Sequence, residues 1–181
     1  TEREKEAAES GACGFLEKPF FVSALKEKLQ KILTEPDGTT TEEIGQEGVL
    51  RGLHFLVAED NEINAEILTE LLNIEEADCE IAENGRMAVE CFVRAEPGTF
   101  DAVLMDVQMP VMNGYEATRA IRALEREDAR TMPVIAMTAN AFAEDVKDAM
   151  EAGMDAHVSK PVDMELLKKT VYELIRGRKQ G

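Results

Sequence analysis

The chain has 181 residues, 44% of them hydrophobic and 31% charged, a globular composition with room for one cored domain and an appendage. A net charge of -17 opposes direct binding to nucleic acid, whose phosphates it would repel. No apolar run approaches the roughly 20 residues that span a bilayer, and no signal-peptide pattern opens the chain, so the segment is expected to be cytoplasmic with no membrane contact of its own.

Residues 1–10, TEREKEAAES, are polar and helix-favouring, and Gly11 suits a helix end. CGFLEKP then adds a few strand-like residues. Val22, Leu25, Leu29, Ile32 and Leu33 recur at helical spacing. This helix–strand–helix piece, residues 1–33, is too short to bury a core alone. Residues 34–51, with Pro36, several Gly and Thr and many acids, read as a flexible linker. A start at Thr1 rather than Met leads us to expect a piece of a longer protein.

From Leu50 the pattern is regular, and residues 52–177 are expected to form one complete domain. LHFLVA (53–58) is a strand, and the helix after it carries Ile63, Ile67, Leu68, Leu71 and Leu72 on one face. DCEIA (78–82) alternates as a second strand, followed by a helix with Met87, Val89, Cys91 and Phe92. The run from Phe100 through Val103, Leu104 and Met105 is apolar throughout, as in a strand buried on both faces, and it stops at Asp106. Pro110, Asn113 and Gly114 then turn the chain into a third helix. PVIAM (133–137) and DAHVS (155–159) are the fourth and fifth strands. Each is followed by a helix, the last with Leu166, Leu167, Val171, Leu174 and Ile175 inward. Five strands alternating with five helices predict an α/β fold with a doubly wound, five-stranded parallel sheet and helices on both faces. Cys13, Cys79 and Cys91 are odd in number and lack metal-ligand spacing, so they are expected as buried or half-buried thiols in a reducing compartment.

One internal repeat stands out. Residues 7–33 can be laid on 149–175 without a gap, so that Gly11 falls on Gly153, Lys18 on Lys160, Pro19 on Pro161 and Leu25 on Leu167. The opening segment therefore reads as the tail of a second copy of the same domain.

The chemistry lies in what ends each strand. Glu59 and Asp60 follow the first strand, Asp106 the third, Thr138 the fourth, and Lys160 and Pro161 the fifth. In a doubly wound sheet these termini share one edge, where such folds place ligands. Any one of them has a plain explanation as a cap or a surface charge. Together, three carboxylates repel one another unless a cation lies between them. Oxygen donors with no His or Cys cluster suit Mg²⁺, and a carboxylate beside Mg²⁺ can attack phosphorus to give an aspartyl phosphate. Lys160 supplies an ammonium for the incoming anion, and Thr138 could hydrogen-bond a phosphoryl oxygen.

With these residues in place, AEDN (58–61), MDVQMPVMNG (105–114), MTANA (137–141) and SKP (159–161) give the chain from about Leu53 to Ile175 a clear resemblance. It resembles a receiver domain of two-component response regulators, of flavodoxin-like fold, and especially the receivers of hybrid sensor histidine kinases. The resemblance implies that Asp106 is the phosphoacceptor and that Glu59, Asp60, Asp106 and the Gln108 backbone carbonyl hold Mg²⁺. It also implies that Thr138 and Lys160 contact the phosphoryl group, and that Lys160–Pro161 is a cis peptide. His157 departs from the family, which usually carries Tyr or Phe at that switch position. Residues 7–33 resemble a receiver's end, with Phe15 at the aromatic position, and hold no phosphoacceptor; docking on the intact domain or pairing with a second copy to form a homodimer are both open to them. The implied partner is a histidine kinase or a histidine phosphotransfer domain.

The reading is thus a phosphorelay receiver that takes a phosphoryl group from phosphohistidine and switches a partner-binding surface. It is not a stand-alone enzyme. One alternative is a receiver-like interaction module without phosphate chemistry, whose signature would be loss of Glu59, Asp60 or Lys160; none is lost. Another is a Mg²⁺-dependent aspartyl-phosphate phosphatase, which would want a second acid two places after the nucleophile, where this chain has Gln108.

Overall fold

The computed structural model describes residues 48–139 and 143–178, with no account of the side chains of residues 143, 144, 177 and 178. The helix–strand–helix reading of residues 1–33, and most of the linker reading, lie outside the described residues, as does Cys13.

Five parallel strands, β1 (His54–Ala58), β2 (Asp78–Ala82), β3 (Ala102–Asp106), β4 (Val134–Thr138) and β5 (Ala156–Ser159), pair in the order β2-β1-β3-β4-β5. The connections carry α1 (Glu62–Ile74), α2 (Gly85–Arg94), α3 (Gly114–Arg122), α4 (Glu127–Thr131) and α5 (Ala143–Glu151), and α6 (Met164–Arg178) closes the domain. The order reverses between β1 and β3, which opens a crevice at their carboxyl ends. Because side chains alternate along a strand, the sheet feeds two cores. Leu56, Val103, Met105 and Val134 pack on one face with Phe92 of α2 and Ile121 of α3. Phe55, Val57, Leu104 and Ile135 pack on the other with Leu68 and Leu72 of α1 and Leu167 and Val171 of α6. Every residue of β3 and β4 is buried, as the unbroken apolar runs require. Fully burying one such aliphatic side chain stabilises the fold by about 1.5–3 kcal/mol.

Polar residues at the strand-to-helix turns start the helices. The side chains of Asn61, Asn84 and Asn113 accept the amide N–H of the third helical residue of α1, α2 and α3. At α3 the cap is reciprocal, because Glu116 reaches back to the Asn113 amide. Asp163 Oδ1 accepts from the amides of Glu165 and Leu166 at the start of α6.

Several expectations need correction. Ile63 and Leu166, expected to face inward, are 60% and 44% exposed. Each lies on the outer side of its helix's first turn, whose inner side buries Ala65 in α1 and Leu167 in α6. Leu50, assigned to the linker, is fully buried against the core beneath α1 and α6, so the domain begins before residue 52. The polar run EDART forms α4, an element with no apolar periodicity to announce it. Cys79 and Cys91 are free thiols, half-buried and buried, as expected. Among the described residues no helix is long and apolar enough to cross a membrane.

Candidate functional site

Glu59 follows β1 directly, and its amide is tied to Ala82 O at the end of β2 (3.0 Å). Asp106 is the last residue of β3, and the Val107 amide continues the sheet by donating to Met137 O (3.1 Å). Thr138 ends β4 opposite Ser159, and the Lys160 amide donates to Thr138 O (2.8 Å). Sheet register alone therefore brings Glu59, Asp106, Thr138 and Lys160 to one edge.

The side chains converge there. Lys160 Nζ donates to Glu59 Oε2 and to Asp106 Oδ2, both at 2.6 Å, and its side chain is only 20% exposed. Glu59 is 3% and Asp106 5% exposed, whereas Asp60 is open to solvent. The carboxylates of Glu59, Asp60 and Asp106 each place an oxygen within 4.8 Å of the others. Asp106 Oδ1 accepts the Gln108 amide N–H (3.1 Å), so the contact of Gln108 with Asp106 runs through its amide. His157 sits half-buried on β5 opposite Ala136, and the Lys160–Pro161 peptide is cis.

Burial pushes the Asp106 carboxyl pKa up. Its bonds to Lys160 and the Gln108 amide oppose that, and Glu59 adds repulsion. Burial also works against the Lys160 ammonium, but the hydrogen bonds and charges of Asp106 and Glu59 outweigh it, and the Lys160 pKa lies above its ordinary value. The sum is three carboxylates against one ammonium. That deficit of positive charge, with oxygen-only donors in a partly open cluster, fits a hard divalent cation. One ion with bonds of about 2.1 Å spans oxygens up to roughly 4.2 Å apart, so only a small contraction, or a bridging water, is needed. Beside the cluster lies an open cleft of about 470 Å³, lined by Asp60, Gln108, Met109, Pro110, Tyr115 and Asp145 among others. The Tyr115 hydroxyl donates across it to Asp145 O in α5 (3.3 Å).

Three residues shape this edge in ways the sequence reading does not assign: Gly114 reads there only as a turn residue, and Gly85 and Asn64 have no stated role. A Cβ on Gly114 would stand 2.2 Å from Asp106 O, and one on Gly85 would stand 2.4 Å from Met112 O. Both glycines let a helix N-terminus touch the loop that carries the acid. The third is Asn64, whose Nδ2 donates to Glu59 Oε1 (3.2 Å). An amide side chain five places after a candidate ligand, in the same helical turn as a cap, was the available signal.

With the acids, the ammonium and the sheet order described, the class is defined. Residues 55–172 match the response regulator receiver domain, and the chain belongs to that family. The curated relatives it matches include hybrid histidine kinases, of which it spans only a small part. Hybrid signal transduction histidine kinase I of Dictyostelium discoideum is 38% identical over 122 residues, 66% of this chain; the aligned region spans 7% of that protein. The receiver domain of a sensor histidine kinase from Pseudomonas aeruginosa, solved with magnesium coordinated in its active-site cleft, is 35% identical with a TM-score of 0.61, covering 68% of this chain and 98% of that one. The Ssk1 receiver of Saccharomyces cerevisiae, solved with the histidine phosphotransfer protein Ypd1, is represented by a match of 27% identity and TM-score 0.60, covering 69% of this chain and 90% of that one. This chain is therefore a receiver domain of the two-component type, similar to those of hybrid histidine kinases.

Proposed function

We propose that Asp106 accepts a phosphoryl group from phosphohistidine. The observation that carries this is the Lys160 ammonium bridging Glu59 and Asp106 at 2.6 Å, with Asp60 completing the acidic cluster. An oxygen of Asp106 forms the new bond to phosphorus as the P–N bond to imidazole breaks, the bonding pair leaving with the imidazole nitrogen. Lys160 offsets charge on the transferred group, and Thr138, at the end of the neighbouring strand, would donate its hydroxyl to a phosphoryl oxygen. Glu59, Asp60, Asp106 and the Gln108 carbonyl would hold Mg²⁺, which when bound supplies the remaining positive charge that phosphoryl transfer needs. His157 occupies the switch position of β5, and movement there would carry the phosphorylated state to a binding surface.

The donor is a histidine kinase or histidine phosphotransfer domain. In support, Ile63 of α1 and Val111, which has a φ of 69°, present exposed apolar side chains close in sequence to the acids, at 60% and 72% exposure. Exposed apolar groups this close in sequence to the acids would offer such a partner apolar contact. The chemistry ends with transfer and hydrolysis at Asp106, and the segment turns over no substrate of its own. Residues 1–33 remain, by the sequence correspondence alone, the end of an upstream receiver. The test is phosphotransfer from a phosphorylated histidine phosphotransfer protein: wild type is expected to gain label when Mg²⁺ is present, and Asp106→Asn to gain none. Equal labelling of the variant would refute the proposal.

A further inference from the structure

We infer that Asn64 is a positioning residue that orients Glu59 for the cation site, an inference that rests on the function proposed above. Glu59 is a buried carboxylate on a chain one methylene longer than aspartate, so its head can rotate unless both oxygens are held. Both are held. Oε2 takes the Lys160 ammonium at 2.6 Å. Oε1 takes two donors, the Asn61 amide N–H and Asn64 Nδ2, each at 3.2 Å.

Asn64 is itself fixed by the helix it belongs to. The Asn61 side chain accepts the Asn64 amide (3.1 Å) as the cap of α1, while the Asn61 amide donates to Glu59. Glu59, Asn61 and Asn64 thus close a ring of hydrogen bonds that locks the carboxylate plane to the first turn of α1. Without the Asn64 amide, Glu59 Oε1 keeps one long bond in a site where an under-satisfied carboxylate is costly. The carboxylate then keeps a single donor on each oxygen, and its plane loses part of the fixed direction that the ring gives it. Groups that orient a metal-binding carboxylate in this way commonly change metal affinity by 10-fold or more.

Asn64 is exposed, and alanine is at least as good a helix former, so Asn64→Ala should fold. Mg²⁺ affinity of the full chain is read from amide chemical shifts, which report weak as well as tight binding. Wild type, Asn64→Ala, Glu59→Ala and the double variant are compared, with melting in EDTA as the control for folding. Asn64→Ala is expected to bind Mg²⁺ roughly 10-fold more weakly and to melt in one cooperative transition a few degrees below wild type. In the Glu59→Ala background, which retains Asp60 and Asp106, the same substitution should have no further effect. Unchanged affinity of Asn64→Ala, or an equal loss in both backgrounds, would overturn the inference and leave the proposed function standing. Absence of Mg²⁺ binding by wild type would overturn both.

Discussion

At the amino edge of the sheet, acids have donors of their own. Asp101 Oδ2 accepts the His54 amide (2.8 Å), and Asp155 Oδ2 accepts the Val134 amide (2.8 Å) and the Arg122 guanidinium (2.8 Å). Asp128 is gripped by Arg126 through both carboxylate oxygens, while the same guanidinium donates to Phe92 O and Ala95 O at the end of α2. At the carboxyl edge Glu59 and Asp106 share the Lys160 ammonium, and Asp60 joins their cluster with no ammonium of its own there among the described residues. Residues of one chemical type thus tie strands and helices together at one edge and leave unbalanced charge at the other. An acid cluster points to chemistry where its charge is not matched, which a count of acids along the chain does not reveal.

The largest effect is expected at the carboxyl edge from a single methyl group. Gly114→Ala places a Cβ against Asp106 O, and the backbone that carries the acid has to shift. Urea denaturation should show a loss of about 3 kcal/mol, and phosphorylation by acetyl phosphate should slow by at least roughly 10-fold. Wild-type rate and stability would mean that Asp106 needs no such tight seat.

At the amino edge, Arg126→Ala should cost about 2 kcal/mol, since it removes the Asp128 pair, the carbonyl contacts and a guanidinium 4.8 Å over the Phe92 ring, while leaving the phosphorylation rate unchanged. The Arg126 hydrogen bond holds the Asp128 carboxyl below its ordinary pKa. A carboxyl lowered on folding stabilises the protein above its unfolded value and loses that contribution as pH falls through the folded one. The stability gap between wild type and Asp128→Asn should therefore be complete at neutral pH and close below about pH 4. A gap that persists into strong acid would assign the effect to packing.

The smallest effect has the opposite sign. Asp106→Asn removes a buried charge from the unbalanced cluster, so the metal-free protein should gain about 1 kcal/mol, read as a higher melting temperature in EDTA. A loss of stability would place Asp106 with the structural acids of the other edge.

The strands and the candidate ligands were legible because two physical signals coincide in this chain. Apolar runs as short as AVLM and VIAM, bounded by turn residues, suit a strand covered on both faces better than a buried helix, and each ends in a polar residue at the crevice. Helix faces were less legible at their ends. Ile63 and Leu166 were counted into the apolar stripe, yet Ala65 and Leu167 fill the inner side of those first turns, and apolar character alone does not say which of two neighbouring residues faces the sheet. The acids at the other edge, Asp78, Asp101 and Asp155, weaken any reading based on acids grouping at carboxyl ends alone. The supporting residues were least legible. Gly114 reads as a turn residue but begins α3 and touches Asp106, and Asn64 reads as one more polar helix position.

Whether the carboxyl edge phosphorylates Asp106 is tested most directly by locating the phosphoryl group. Protein treated with acetyl phosphate, with and without Mg²⁺, is reduced with borohydride, which converts an aspartyl phosphate to homoserine, and then sequenced by mass spectrometry. Conversion at Asp106 alone, and only with Mg²⁺, is the predicted result. Conversion at another residue, or at Asp106 to the same extent without the ion, would contradict it.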